Sequence, residues 1–185
     1  MATKLGFLPG TSNTTITSTA GTSTIDDVTP RAELGTKYWY KDASKNYCEC
    51  VYVKFIDAVS YVKGGMVFLA DDNTAMSPFT IVTNDYSEDW GDKLHVAGVC
   101  YGVQTTGQYG FVQTYGPGIV LCNNDDDAAV GDELIVTAAD NGVANVATAG
   151  ASGPQIYIGF ALSAVNTTTN LCQAQIGIQF PWANL

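Results

Sequence analysis

Residues 93–122 read KLHVAGVCYGVQTTGQYGFVQTYGPGIVLC. Two runs rich in β-branched and aromatic residues flank a short polar link, Gln104-Thr105-Thr106-Gly107-Gln108. The first carries Leu94, Val96, Val99, Tyr101 and Val103; the second carries Tyr109, Phe111, Val112 and Tyr115. Such side chains suit a pleated, half-buried surface, and a glycine-bearing polar link between two such runs marks a β-hairpin. Gly116-Pro117-Gly118 is expected to interrupt the pairing, because Pro117 has no N–H to give a ladder. A new strand then starts at Ile119-Val120-Leu121-Cys122.

The same grammar extends toward the C-terminus. An acidic turn, residues 123–127, precedes Gly131-Asp132-Glu133 and the strand Leu134-Ile135-Val136-Thr137. Asn141-Gly142 predicts a tight two-residue hairpin into residues 143–147, since both residues accept positive φ. Ile156, Ile158, Phe160 and Leu162 alternate and predict one buried face. Residues 166–170, NTTTN, turn the chain. In the last strand Cys172, Ala174, Ile176, Ile178 and Phe180 face one way and Gln173, Gln175 and Gln179 the other, the pattern of a strand with one wet face.

Toward the N-terminus, residues 37–40 and 47–55 read as strands joined by the turn at 41–46. Residues 61–63 and 66–69 flank Gly64-Gly65, a tight turn or a bulge. Residues 79–83 form another short strand, and 84–91 a polar connection with room for a helical turn. Apolar residues do not recur at helical spacing over any long stretch. The chain therefore predicts an all-β domain over residues 37–185, an antiparallel barrel or sandwich.

Residues 1–36 differ in kind. Thr and Ser dominate 11–19 and 21–24, with isolated apolar residues between them. This is too sparse for a core and too apolar for a plain linker. The expectation is an extended N-terminal arm that orders on a partner surface, with Leu5, Phe7, Leu8, Ile16 and Ile25 as its contacts.

A chain of 185 residues with 46% hydrophobic content supports one core-bearing domain. It has 18 acidic and 8 basic residues, a net charge of -10. Nucleic-acid binders need clustered Lys and Arg to displace counterions from phosphate. Only Arg31 is an arginine and the lysines are scattered, so nucleic acid and anionic membrane are not expected partners. No stretch is long and apolar enough for a spanning helix, and the apolar patch of residues 1–10 is too short for a signal-peptide core. Synthesis in the cytoplasm is expected. Five cysteines, Cys48, Cys50, Cys100, Cys122 and Cys172, lie in or beside apolar runs and read as buried thiols; Cys48 and Cys50 share a strand face.

Residue types for chemistry are few. His95 is the only histidine, so any nucleophile–histidine system would depend on it, and no Gly-x-Ser-x-Gly elbow accompanies it. CxC at Cys48 and Cys50 lacks the CxxC pairs or histidines of a zinc site. Asp71-Asp72-Asn73 and Asp125-Asp126-Asp127 offer oxygens but lack the spacing of a calcium loop and read as solvated turns. No catalytic residue, metal or cofactor is expected. Tyr38, Trp39, Tyr40, Tyr47, Tyr52, Tyr101, Tyr109, Phe111 and Tyr115 read as core and subunit interface, against the alternative of a carbohydrate platform.

Four segments occur in an informative order: Ala97-Gly98-Val99, Gly107-Gln108-Tyr109-Gly110-Phe111-Val112-Gln113, Ala128-Ala129-Val130-Gly131-Asp132-Glu133-Leu134 and Ile158-Gly159-Phe160-Ala161-Leu162. This order resembles the small β-barrel decoration, or cement, proteins of tailed-phage heads. The resemblance implies a structural virion protein without enzymatic activity. Its partners would be the major capsid protein and neighbouring copies of itself in a homo-oligomer, and its place the outer capsid surface. The rival expectations are a carbohydrate-binding β-sandwich for receptor or glycan attachment and, third, a β-rich hydrolase.

Overall fold

The computed structural model describes residues 2–4, 15–17, 30, 32–56, 61–70, 81–85, 95–123, 127–137, 142–147 and 155–178. Those residues contain strands and no helix. β1 (Ala2–Lys4) and β2 (Thr15–Thr17) pair with each other, antiparallel. The remaining strands are β3 (Lys37–Lys41), β4 (Tyr47–Phe55), β5 (Met66–Leu69), β6 (Ile81–Thr83), β7 (Val96–Cys100), β8 (Tyr109–Leu121), β9 (Glu133–Thr137), β10 (Asn145–Val146), β11 (Gln155–Ala161) and β12 (Leu171–Gly177). They form one sheet in the order β10-β9-β11-β12-β8-β7-β5-β6-β4-β3, and a further β8–β4 pairing closes β8, β7, β5, β6 and β4 into a ring. The sheet is mixed, because β4 and β6 run parallel. The all-β barrel-like class read from the sequence is therefore correct.

The hairpin is present in β7 and β8, with Val99 opposite Gln113 and Cys100 opposite Val112, but β7 ends at Cys100, so eight residues rather than Gln104–Gln108 alone link the strands. The expected break at Pro117 is not. β8 runs unbroken for 13 residues and changes partner instead, pairing with β4 through Tyr109–Tyr115 and with β12 through Tyr115–Leu121. A residue's N–H and C=O point to the same side of a strand. The Pro117 carbonyl accepts from Gln113 Nε2 at 2.9 Å rather than from β12, so β12 loses no donor at that position. Gly116, at φ 95°, makes the hand-over: a Cβ there would strike the Tyr47 carbonyl and the Cys48 backbone.

Alternation along the strands sorts the apolar residues into three cores. Val51, Val53 and Phe55 of β4, Val67 and Leu69 of β5, Val82, Ala97, Cys100 and Val112 fill the ring, with Tyr61 beside them. Met66 and Phe68 of β5 and Val96 and Val99 of β7 point the other way. There they meet Val120, Leu134, Val136, Ile158, Ala174 and Ile176 of the second half of the sheet. β5 and β7 thus form a wall buried on both faces, which explains why their sequences read as continuous apolar runs. Tyr38, Tyr40, Cys48, Cys50, Tyr52 and Phe111 make the third core on the outer side of β3–β4–β8, with Cys48 and Cys50 on one face as expected. Ala32 and Leu34 pack against it, so the domain takes hold of the chain a few residues before β3.

Two turns differ from their sequence reading. Gly65 N–H donates to the Val62 carbonyl, so Gly64-Gly65 closes a tight turn rather than a bulge. β9 and β10 are antiparallel, but Ile135 faces Asn145, which leaves seven residues between the strands rather than a two-residue Asn-Gly turn. Residues 142–144 are occupied elsewhere. The Gly142 carbonyl accepts from Met66 N–H, and Ala144 bonds to Leu121 and Asn123 across the end of β8. The β11–β12 turn is as read: Asn166 Oδ1 accepts from the N–H groups of Thr168 and Thr169, and Asn170 takes φ 57°.

Candidate docking surface

The last strand behaves as its pattern predicts through residue 178. Cys172, Ala174, Ile176 and Ile178 are buried, and Gln173 and Gln175 lie on the outer face; residues 179 and 180 lie outside the described residues. β11 does not. The strict alternation of Ile156, Ile158, Phe160 and Leu162 fails at Gly159, where the register against β9 shifts between Tyr157 and Gly159. Ile158 remains in the core, but Tyr157, Phe160 and Leu162 are 49%, 39% and 40% exposed. A bulge places an extra residue in one strand and so reverses the facing of everything after it. The glycine inside a strand-like run was the signal available in the sequence.

That reversal builds a surface. Across the outer face of β8, β12 and β11, Pro117 stands opposite Gln175 and Gln175 opposite Phe160. Ile119 stands opposite Gln173, whose carbonyl accepts from Leu162 N–H. Tyr115, 46% exposed, stands opposite Gly177. These rows hold apolar side chains and glutamine amides, with carboxylates at their two borders, Glu133 opposite Phe160 on β9 and the nearly buried Glu49 opposite Tyr115 on β4. On a chain of net charge -10, this is a nearly uncharged face.

Tyr115 joins it to an aromatic extension. Its ring lies 5.9 Å from that of Trp39, tilted by 51°, and Trp39 and Tyr47 are both more than half exposed. Lys41 Nζ sits 4.6 Å over the Tyr47 ring. Beneath them Glu49 is almost buried; its Oε1 accepts from Thr114 Oγ1 at 2.7 Å and pairs with Lys37 Nζ at 3.5 Å. Gln113 fixes the base of the patch, donating from Nε2 to the carbonyls of Tyr115, Gly116 and Pro117 at 3.1, 3.2 and 2.9 Å. The aromatics singled out in the sequence therefore divide. Tyr38, Tyr40, Tyr52 and Phe111 form the buried cluster, with Tyr101 and Tyr109 packed on it, while Trp39, Tyr47 and Tyr115 face solvent. Burial pushes the Tyr40 phenol far above its ordinary range and raises Tyr38 and Tyr101.

Of the expected arm contacts, Leu5, Phe7, Leu8 and Ile25 lie outside the described residues. Ile16 lies in β2, in register with Thr3. Residues 71–73, 125 and 126 are also outside them, and among the described residues no group of three His, Cys, Asp or Glu could hold a metal ion. His95 lies at the entry to β7, where its carbonyl accepts from Leu69 N–H. No protein-family model matches the chain, and a search of curated proteins returned no match.

Proposed function

We propose that this chain is a structural protein that decorates a tailed-phage capsid, docking on the major capsid protein and doing no chemistry of its own. The observation that carries this reading is the nearly uncharged outer face of β8, β12 and β11, with Tyr115, Phe160, Leu162 and Tyr157 exposed on it. Interface centres are depleted in charge and enriched in aromatic residues, and glutamine amides supply hydrogen bonds without the desolvation cost of an ion. Single exposed apolar residues are ordinary, but several on contiguous rows of one sheet face mark a contact surface.

Three of the four segments that carry the resemblance to decoration proteins lie in or beside this face; Ala97-Gly98-Val99 lies in β7, buried on both faces. Gly110-Phe111-Val112-Gln113 is the part of β8 whose glutamine holds the hand-over at Gly116. Gly131-Asp132-Glu133-Leu134 opens β9, and Ile158-Gly159-Phe160-Ala161-Leu162 contains the bulge that turns Phe160 and Leu162 outward. In this reading the N-terminal arm adds contacts through Leu5, Phe7, Leu8, Ile16 and Ile25. Neighbouring copies on the shell reinforce one another by proximity. The test is electron microscopy of shells assembled from the proposed partner, the major capsid protein of the same phage, with and without the purified protein. Ordered density at regular positions on the outer surface is expected; bare shells at saturating protein would overturn it.

A second reading rests on the Trp39–Tyr115 pair. Two exposed rings beside Glu49, Lys37 and Lys41 offer stacking and hydrogen bonding to a pyranose, which favours glycan attachment. Glycan-array binding that Trp39→Ala abolishes, without shell binding, would put this reading first.

A further inference from the structure

All five cysteines lie among the described residues, and none is in a disulfide. Two of them touch. Cys122 Sγ and Cys172 Sγ are 3.4 Å apart in the core behind the outer face. Leu121 is opposite Leu171, so Cys122 at the end of β8 and Cys172 at the start of β12 are diagonal neighbours on the inner side of one ladder. The backbone there is fixed: Cys122 N–H donates to the Asn170 carbonyl at 2.7 Å. A disulfide needs the sulfurs at ~2.05 Å, about 1.4 Å closer than they stand.

We propose that Cys122 and Cys172 are an oxidative modification site, converted by a peroxide to a disulfide that ties the end of β8 to the start of β12. The other thiols are placed differently. Cys100 lies in the ring core with no second thiol in that cluster, and Cys48 and Cys50 sit in the aromatic cluster, where Cys48 Sγ donates weakly to the Asn46 and Pro117 carbonyls. Burial raises the pKa of all three. Cys172 is held below the ordinary thiol value by its hydrogen bond with Cys122. The thiolate is the reactive form, so Cys172 is the first nucleophile. It is the second residue of β12, close in sequence to the exposed turn at 166–170.

The steps balance. The Cys172 thiolate attacks one peroxide oxygen; an S–O bond forms, the O–O bond breaks and hydroxide leaves, giving a sulfenic acid. The Cys122 sulfur then attacks the Cys172 sulfur; the S–S bond forms, the S–O bond breaks, and water leaves with the Cys122 proton. Two thiols lose two electrons and the peroxide gains them. This chemistry does not depend on what the outer face binds. In the capsid reading, it takes place once the particle leaves a reducing cytoplasm.

The experiment treats the folded full-length protein with a small excess of hydrogen peroxide, quenches, unfolds and alkylates it, and measures the intact mass. Three alkylated cysteines and the loss of two hydrogen atoms are expected, restored to five thiols by dithiothreitol. Cleavage before Asp and after Tyr puts Cys100, Cys122 and Cys172 on separate fragments, since Tyr101, Tyr109 and Tyr115 lie between the first two and Asp125, Asp132 and Asp140 between the last two, and the Cys122 and Cys172 fragments should migrate joined. Cys100→Ala should leave the link in place and Cys172→Ala should remove it. Five alkylated cysteines after treatment, a link through Cys48, Cys50 or Cys100, or a sulfinic acid at Cys172 in place of the link would each overturn the assignment. If Cys172→Ala fails to fold, the fragment map of the unaltered protein decides alone.

Discussion

Gly159 lies directly against the carbonyl of Gln175: a Cβ at residue 159 would collide with that oxygen and with the Gln175 carbonyl carbon. The contact is possible because Gly159 takes φ 152° at the bulge of β11. One glycine thus decides which side of the sheet Phe160 and Leu162 occupy.

Gly159→Ala is expected to destabilise the domain by at least ~3 kcal/mol, from backbone strain plus displacement of β12. Gly177→Ala is the control. A Cβ there meets nothing within 4 Å, and the change should stay within ~0.5 kcal/mol. Urea unfolding of the two variants checks the difference.

The two faces of β12 should respond oppositely to charge. Ile176 is 1% exposed, and Ile176→Asp would bury an unpaired carboxylate, so this variant is expected not to fold or to lose several kcal/mol. Gln173→Asp, on the exposed face, should melt within a few degrees of the unaltered protein. Equal melting temperatures would show that the register of β12 against β8 is wrong.

Alkali should unfold the domain earlier than its carboxylates would suggest. Burial raises the thiols of Cys50 and Cys100 and the phenols of Tyr40, Tyr38 and Tyr101. In the unfolded chain thiols ionise near pH ~8.5 and phenols near ~10. Above those values the unfolded chain binds fewer protons than the fold, so stability falls as pH rises. The contribution is complete below about pH 8.5 and is lost progressively above it. Chemical unfolding at pH 7.5, 9 and 10 measures the slope, and Cys100→Ala should make it shallower.

Much of the fold was legible in residue order. β4 spans residues 47–55 as read, and the inward and outward sets of β12 are those read from Cys172 to Ile178. What escaped depends on contacts between distant segments. Pro117 looks like a strand breaker until the Gln113 amide is seen to take its carbonyl. Asn141-Gly142 looks like a two-residue turn until Ala144 is seen bonded to Leu121 and Asn123. The parallel β4–β6 pairing leaves no mark on either strand's pattern. The exposed apolar face was hidden for the same reason. Phe160 and Leu162 have core-like spacing, and only the bulge at Gly159, set by a backbone carbonyl of β12, turns them to solvent.

The most direct measurement of the central claim is co-sedimentation with undecorated shells of the proposed partner, the major capsid protein of the same phage. It compares the unaltered protein, a Phe160→Asp/Leu162→Asp double variant and a deletion of residues 1–30. Both substituted side chains are exposed, so the double variant should keep its melting temperature within a few degrees. Two carboxylates forced into a closed interface should cost at least ~3 kcal/mol of binding, more than a hundredfold in affinity. The deletion should remain folded and bind more weakly, through loss of the arm. Saturable binding of the unaltered protein that falls as stated in the double variant is the expected result. Undiminished binding by the folded double variant would contradict the docking face, and absence of binding by the unaltered protein would contradict the decoration role itself.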